Sequence, residues 1–128
     1  MTLDSSAIIA ILFAESGYLD LVDRILDADH VRVGAPTVVE TALVFAGRRA
    51  ARGGESVAGL LTELGVTIVP FGEAEARVAT EAFQRFGRGR HPARLNYGDC
   101  LAYATAAVSR DTLLFVGEDF AKTDIRPA

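Results

Sequence analysis

Lysine and cysteine are almost missing from this chain, which holds Lys122 and Cys100 and no others of either kind. A lone cysteine excludes an intrachain disulfide and suits a reducing compartment. Histidine is nearly as scarce. His30 and His91 lie far apart and lack the spacing of a metal-ligand pair, which argues against zinc. Long apolar runs are missing too. The longest, Ala7 to Ala14, is too short to cross a bilayer, and no basic segment precedes it. Asp4 stands where a signal peptide would carry positive charge. These absences lead us to expect a soluble, cytoplasmic protein with no membrane partner.

Hydrophobic residues make up 50% of the 128 positions, enough for a substantial core and too many for disorder. The length suits a single domain over residues 1–128. A net charge of −4 argues on average against a polyanionic partner, but the charge is segregated. Arg85, Arg88, Arg90 and Arg94 fall within ten positions, with His91 among them. Arg48, Arg49 and Arg52 form a second cluster, read as a solvated helix end favourable to the dipole.

Strand-like and helix-like segments alternate. Thr2-Leu3 reads as a short strand ending at Asp4, with Ser5 and Ser6 offering a cap for an apolar helix from Ala7 to Phe13. An amphipathic helix follows Gly17, with Leu19, Val22, Ile25 and Leu26 buried and Asp20, Asp23 and Asp27 in water. Val31 to Ala35 alternates like a strand. Pro36 then opens a helix to about Arg52, with Val39, Ala42, Leu43 and Ala46 at core spacing. Gly53-Gly54 ends it, Glu55 to Leu64 is helical, and Val66 to Val69 is a strand that Pro70 terminates. Glu73 to Phe86 is a helix whose inner side is Ala76, Val78-Ala79, Ala82-Phe83 and Phe86. Gly87 to Arg94 reads as a loop too polar and too Gly-rich to pack. A helix opened by Asp99 runs to Val108, Leu113 to Val116 is a strand, and Thr123 to Ile125 adds a last short segment. This order specifies an α/β fold with a mainly parallel central sheet of about four to five strands, covered on both faces.

In such sheets ligands sit beyond the carboxyl ends of the strands. That rule singles out Asp4 after the first strand, Glu40 on the helix after the second, Asp99 at a helix start, and Glu118 and Asp119 after the last strand. A helix dipole alone would explain Asp99, at ~0.3–1 kcal/mol. Several carboxylates on one edge need more, since two charges ~4 Å apart cost roughly 4 kcal/mol at an effective dielectric near ~20. Either protons stay bound or a divalent cation neutralises the group, and an all-oxygen donor set favours Mg²⁺ or Mn²⁺. Such an ion keeps several waters and takes substrate phosphates. The chemistry that follows is phosphodiester hydrolysis, with no lysine or serine nucleophile.

Four segments carry a family resemblance: Leu3-Asp4-Ser5-Ser6-Ala7, Val38-Val39-Glu40-Thr41-Ala42, Leu95-Asn96-Tyr97-Gly98-Asp99-Cys100, and Leu113-Leu114-Phe115-Val116-Gly117-Glu118-Asp119-Phe120. Together they resemble the PIN-domain ribonucleases, and more closely the VapC-type toxins of bacterial toxin–antitoxin pairs. The resemblance runs from residue 3 to about Ile125. It implies a PIN-like three-layer α/β/α sandwich and an Mg²⁺- or Mn²⁺-dependent endoribonuclease. Its substrate would be structured RNA such as transfer or ribosomal RNA, cut by a toxin that inhibits translation and growth. The resemblance implies Asp4, Glu40 and Asp99 as catalytic, metal-binding carboxylates. The fourth acid falls at Glu118 or Asp119, with Asp119 favoured. Ser6 would hydrogen-bond within the site, and Asn96 would orient substrate or a neighbouring carboxylate. A cognate VapB-type antitoxin would insert a peptide into the cleft, and a homodimer would be the usual assembly.

Arg88, Arg90 and Arg94, next to such a centre, are candidates for contact with RNA phosphates, against the plainer reading of a solvated connection. Cys100 is expected to fill core space. Tyr97 is expected to pack, although stacking on a base is open to it.

Two other readings compete. A phosphoacceptor receiver domain would need an acid pair after the first strand, where this chain has Asp4-Ser5-Ser6. It would also need an Asp after a middle strand, where Pro70-Phe71-Gly72 stands, and a Lys after the last strand, whereas Lys122 arrives beyond the acid pair. A PIN-like module that binds RNA or a partner without catalysis would be favoured by an incomplete acid set, and none of the motif acids is missing.

Overall fold

A computed structural model describes residues 1–48 and 56–128. Strands β1 (Thr2–Leu3), β2 (Arg32–Gly34), β3 (Thr67–Val69) and β4 (Leu113–Leu114) form one parallel sheet in the order β3-β2-β1-β4. The chain moves outward from β1 to β3, then crosses to the far side of β1 for β4. Strand order therefore reverses at β1, and parallel sheets open a crevice at the carboxyl ends of such a switch.

Six helices cover the sheet among the described residues: α1 (Ser5–Leu12), α2 (Tyr18–Leu26), α3 (Ala35–Arg48), α4 (Val57–Glu63), α5 (Glu73–Phe86) and α6 (Tyr97–Ser109). On one face Leu113 packs with Ala82 and Phe86 of α5 and Leu101 and Ala104 of α6. On the other, Leu114 and Leu3 join Ile8 of α1, Ile25 of α2 and Leu60 of α4. Neighbouring Leu113 and Leu114 serve opposite faces because successive strand side chains alternate. The expected three-layer α/β/α sandwich is the result. No helix among the described residues is long and apolar enough to cross a membrane.

Several helix faces differ from the expected ones. α2 buries Leu21 and Ile25, while Leu19 and Leu26 are 62% and 65% exposed. Only the pair four residues apart forms a seam toward α1, and at 3.6 residues per turn the other two leucines fall on the far side. α3 buries Thr37 and Thr41, leaving Val39 59% and Leu43 70% exposed, with Ala42 and Ala46 also outside. The Thr41 hydroxyl donates to the Thr37 carbonyl at 2.7 Å, so a polar side chain sits in the core with its proton satisfied. On α5, Ala76 and Phe83 face outward instead of inward.

β4 stops at Leu114, and Val116 is half exposed. A 3-10 turn at Phe120–Lys122 replaces the expected segment at Thr123 to Ile125. The Gly87–Arg94 loop does pack: Ala93 and Leu95 are fully buried, and Leu95 bridges to Gly87. The expected extension of α3 to Arg52, the Gly53-Gly54 stop, the start of a helix at Glu55, and Arg49 all lie outside the described residues.

Candidate active site

Asp4 follows β1 directly, and its extended backbone makes it the N-cap of α1, in place of the expected Ser5 or Ser6. Its Oδ2 accepts from the Ser6 N–H at 3.0 Å and from the Ser6 hydroxyl at 2.6 Å. The same hydroxyl accepts from the Val116 N–H at 3.0 Å, tying the chain beyond β4 to this carboxylate. One oxygen carries all of that. Oδ1 is buried and has no hydrogen-bond partner, in a residue only 3% exposed. Burial pushes the Asp4 carboxyl above its ordinary value, hydrogen bonds from Ser6 and Ser5 pull the other way, and the charge of Asp119 adds to the rise.

Glu40 arrives on α3, which begins at the residue after β2. Its Oε2 is likewise buried without a partner. Burial raises its carboxyl, the charge of Asp4 raises it further, a hydrogen bond from Ser5 opposes, and Asp99 adds a smaller push. Glu40 can lie here because position 98 is glycine: a Cβ there would come within 2.6 Å of the Glu40 Cδ. A similar clearance sets α6 on the sheet, where a Cβ on Gly34 would meet Thr105 Oγ1 at 2.6 Å.

Asp99 sits in the first turn of α6, inside a reciprocal capping box. Asn96 Oδ1 accepts from the Asp99 N–H at 3.0 Å, and Asp99 Oδ2 accepts from the Asn96 N–H at 2.7 Å. Asn96 is thus tied to the neighbouring acid through both its side-chain oxygen and its backbone N–H. Burial raises Asp99, the bond from Asn96 lowers it, Asp4 and Asp119 raise it, and the charge of Arg88 lowers it.

Asp119 heads the 3-10 turn without a side-chain cap bond, after Gly117 turns the chain at φ 112°. Its charge acts on both Asp4 and Asp99, whereas Glu118 is not among the charges acting on either. Asp4, Glu40, Asp99 and Asp119 therefore share one electrostatic neighbourhood at the switch in strand order.

Sequence reasoning passed over Ser5 as a partner of Glu40, and Gly98 as its clearance. Only the glycine left a signal, standing between two site residues in Asn96-Tyr97-Gly98-Asp99. Cys100 fills core space as expected, and burial beside the charge of Asp99 pushes its thiol up to about 11, far from a reactive thiolate. Tyr97 does not pack; it is 80% exposed. Arg88, Arg90 and Arg94 line an open hollow with His91.

Among the described residues, no three Asp, Glu, His or Cys side chains close on one point tightly enough to hold an ion unaided. A hydrated Mg²⁺ does not require three, since one or two carboxylates, waters and substrate phosphates complete its shell. The carboxylate-only donor set and the two unpartnered buried carboxylate oxygens suit such a hard cation, and do not suit zinc.

Residues 1–126 match the family described as PIN domain. Ribonuclease VapC42 of Mycobacterium tuberculosis is 41% identical over 129 residues, covering 100% of this chain and 98% of its own length. Ribonuclease VapC30 of the same organism is 39% identical over 126 residues, with 98% and 95% covered. A solved structure, a toxin–antitoxin complex from Klebsiella pneumoniae, superposes with a TM-score of 0.67 over 96% of this chain and 92% of that one. At 16% identity it shows a likeness of fold alone. Matched along almost its whole length, and with its acids gathered at the carboxyl edge of the sheet, this chain belongs to the PIN-domain family, among relatives of the VapC type.

Proposed function

We propose that this protein is a divalent-cation-dependent endoribonuclease and the toxin of a toxin–antitoxin pair, with Asp4, Glu40, Asp99 and Asp119 as its working carboxylates. The observation that carries the reading is the pair of buried oxygens, Asp4 Oδ1 and Glu40 Oε2, that have no hydrogen-bond partner. A buried acceptor left unsatisfied costs about 1–3 kcal/mol, more when charged. Here the charges acting on these carboxylates are those of further acids rather than of cations. Mg²⁺ or Mn²⁺, when bound, would ease deprotonation of the attacking water and stabilise charge on the leaving oxygen.

The chain's own residues do the rest. Ser6 fixes the Asp4 carboxylate, Asn96 fixes Asp99, and Gly98 leaves Glu40 room to face them. Arg88, Arg90 and Arg94 hold the RNA backbone by its phosphates, which positions a substrate without reading its sequence. The substrate is structured cytoplasmic RNA, of the transfer or ribosomal class. A VapB-type antitoxin holds the enzyme silent. The exposed apolar side chains Val39, Leu43 and Val44 of α3 support a homodimer.

The test is purified chain with total RNA under Mg²⁺, Mn²⁺ or chelator. Cleavage should require the metal and vanish in Asp99→Asn. No cleavage under either metal would overturn the nuclease reading, and metal-independent cleavage or full activity in Asp99→Asn would overturn the cation-dependent carboxylate site. Growth arrest on expression, relieved by Asp99→Asn, tests the toxin role separately.

A further inference from the structure

We infer that the cleft between α5 and α6 is a nucleobase subsite, which takes one unpaired base of the RNA next to the phosphate being cut. This rests on the ribonuclease reading above. The cleft encloses about 560 Å³. Ala79 and Leu101 form its apolar lining, Phe83 and Tyr97 are its aromatic sides, and Gln84 and Arg90 supply polar groups.

Tyr97 also lines the neighbouring cleft that contains Glu40 and Gly98. Tyr97 therefore borders both the proposed subsite and a cleft that reaches Glu40, one of the site acids. The residue is 80% exposed, and no hydrogen bond or ring contact holds its ring among the described residues. Across the cleft Phe83 is 40% exposed, with the Arg90 guanidinium 5.7 Å from its ring centre.

Charge separates this surface from an ordinary apolar patch. Arg77 and Arg85, on the outer side of α5, each hold an acid at 3.0 and 2.7 Å. Arg88, Arg90 and Arg94 hold none among the described residues, and they sit where the cleft meets the hollow around His91. Their loop is built rather than loose. The Arg90 and His91 N–H groups donate to the Gly87 carbonyl at 3.0 and 3.2 Å, and the Ala93 N–H donates to His91 Nδ1 at 3.1 Å. A loop fixed in advance loses less freedom on binding.

Aromatic faces beside unpaired guanidinium groups are what an unstacked base and its phosphate require: the ring stacks and the backbone is neutralised. An apolar protein segment would cover Phe83 and Tyr97 but leave the arginines unmatched. Gln84 adds an amide that can both donate to and accept from a base edge.

The test measures binding of fluorescein-labelled hexaadenylate, and of an abasic hexamer of the same length, to the full chain in chelator, where no cleavage interferes. Base stacking is worth ~1–3 kcal/mol per base, so Tyr97→Ala and Phe83→Ala should each weaken hexaadenylate about 5- to 150-fold. Neither should change affinity for the abasic hexamer, and Tyr97→Phe should bind hexaadenylate like the parent. Melting temperature and sedimentation of each variant check fold and oligomeric state. Unchanged hexaadenylate affinity, or equal losses for both probes, overturns the subsite. Unchanged affinity together with a lost dimer identifies the cleft as a protein–protein face. A parent chain that cuts RNA through Asp99 while Tyr97→Ala binds and cuts equally well refutes only this inference. A parent that neither binds nor cuts refutes the ribonuclease reading beneath it.

Discussion

Two carboxylates lie at opposite ends of the same strand pair, and the protein treats them in opposite ways. At the amino end of β1 and β4, Asp111 accepts from the Thr2 hydroxyl at 2.8 Å. It also lies 3.5 Å from Arg32 and 4.0 Å from the Met1 amine. At the carboxyl end, Asp4 is set deeper, at 3% exposed, but forms no ion pair among the described residues, and its charged neighbours are Glu40, Asp99 and Asp119. A buried acid surrounded by a hydroxyl and two cations contributes to folding. One surrounded by acids works against folding, and groups so perturbed concentrate at functional sites. The contrast separates what holds the fold together from what the fold holds ready.

The largest effect that can break this comparison is at Asp4. Loss of an outer-shell partner alone lowers metal-site activity about 10- to 100-fold, so Asp4→Asn should reduce RNA cleavage by more than about 100-fold. It should melt no lower than the parent chain, and retained cleavage with a large drop in melting temperature would reverse the roles assigned to the two ends. Ser6→Ala removes the hydroxyl that joins Asp4 to Val116, so cleavage should fall about 10- to 100-fold, mainly in kcat. Unaltered kcat in steady-state assays would remove Ser6 from the account.

Asp111→Asn should lower stability by about 1–3 kcal/mol in urea unfolding while leaving cleavage per folded molecule unchanged. Lost activity in the folded variant would mean that the amino end also serves the reaction. The smallest effect is in pH dependence. Asp4, Glu40 and Asp99 are all raised above their ordinary values of 3.8, 4.5 and 3.8, so the folded chain binds these protons more tightly than the unfolded one. Their contribution is complete below those ordinary values and is lost as pH climbs through the raised ones. Metal-free stability should therefore carry a falling component across that window, and Asp4→Asn should flatten it. An unaltered slope in the variant, followed by thermal melts in chelator, would contradict the upward shifts.

Much of this was legible in the sequence, for identifiable reasons. Alternating apolar segments bounded by Pro36, Pro70 and glycines yield the parallel sheet, since burial on both faces leaves continuous apolar strands. Asp4, Glu40 and Asp99 stood out because each follows a strand or opens a helix, a position that topology makes special. The helix faces were less legible. Thr41 can occupy the core side of α3 because it satisfies its hydroxyl on the helix backbone, while Thr37 lies beside it with its hydroxyl unpartnered, so polarity hid the burial of both. Val39 and Leu43 misled in the opposite direction, as apolar residues turned outward. The choice between Glu118 and Asp119 depends on how Gly117 turns the chain, which no residue pattern encodes.

Direct binding of Mn²⁺, followed by calorimetry on the parent chain, Asp4→Asn and Asp111→Asn, tests the central contrast most plainly. The account predicts saturable binding to the parent and to Asp111→Asn, with binding abolished or severely weakened in Asp4→Asn. Equal binding to all three would contradict it, because the unpartnered carboxylates beyond β1 would then not be where the cation goes.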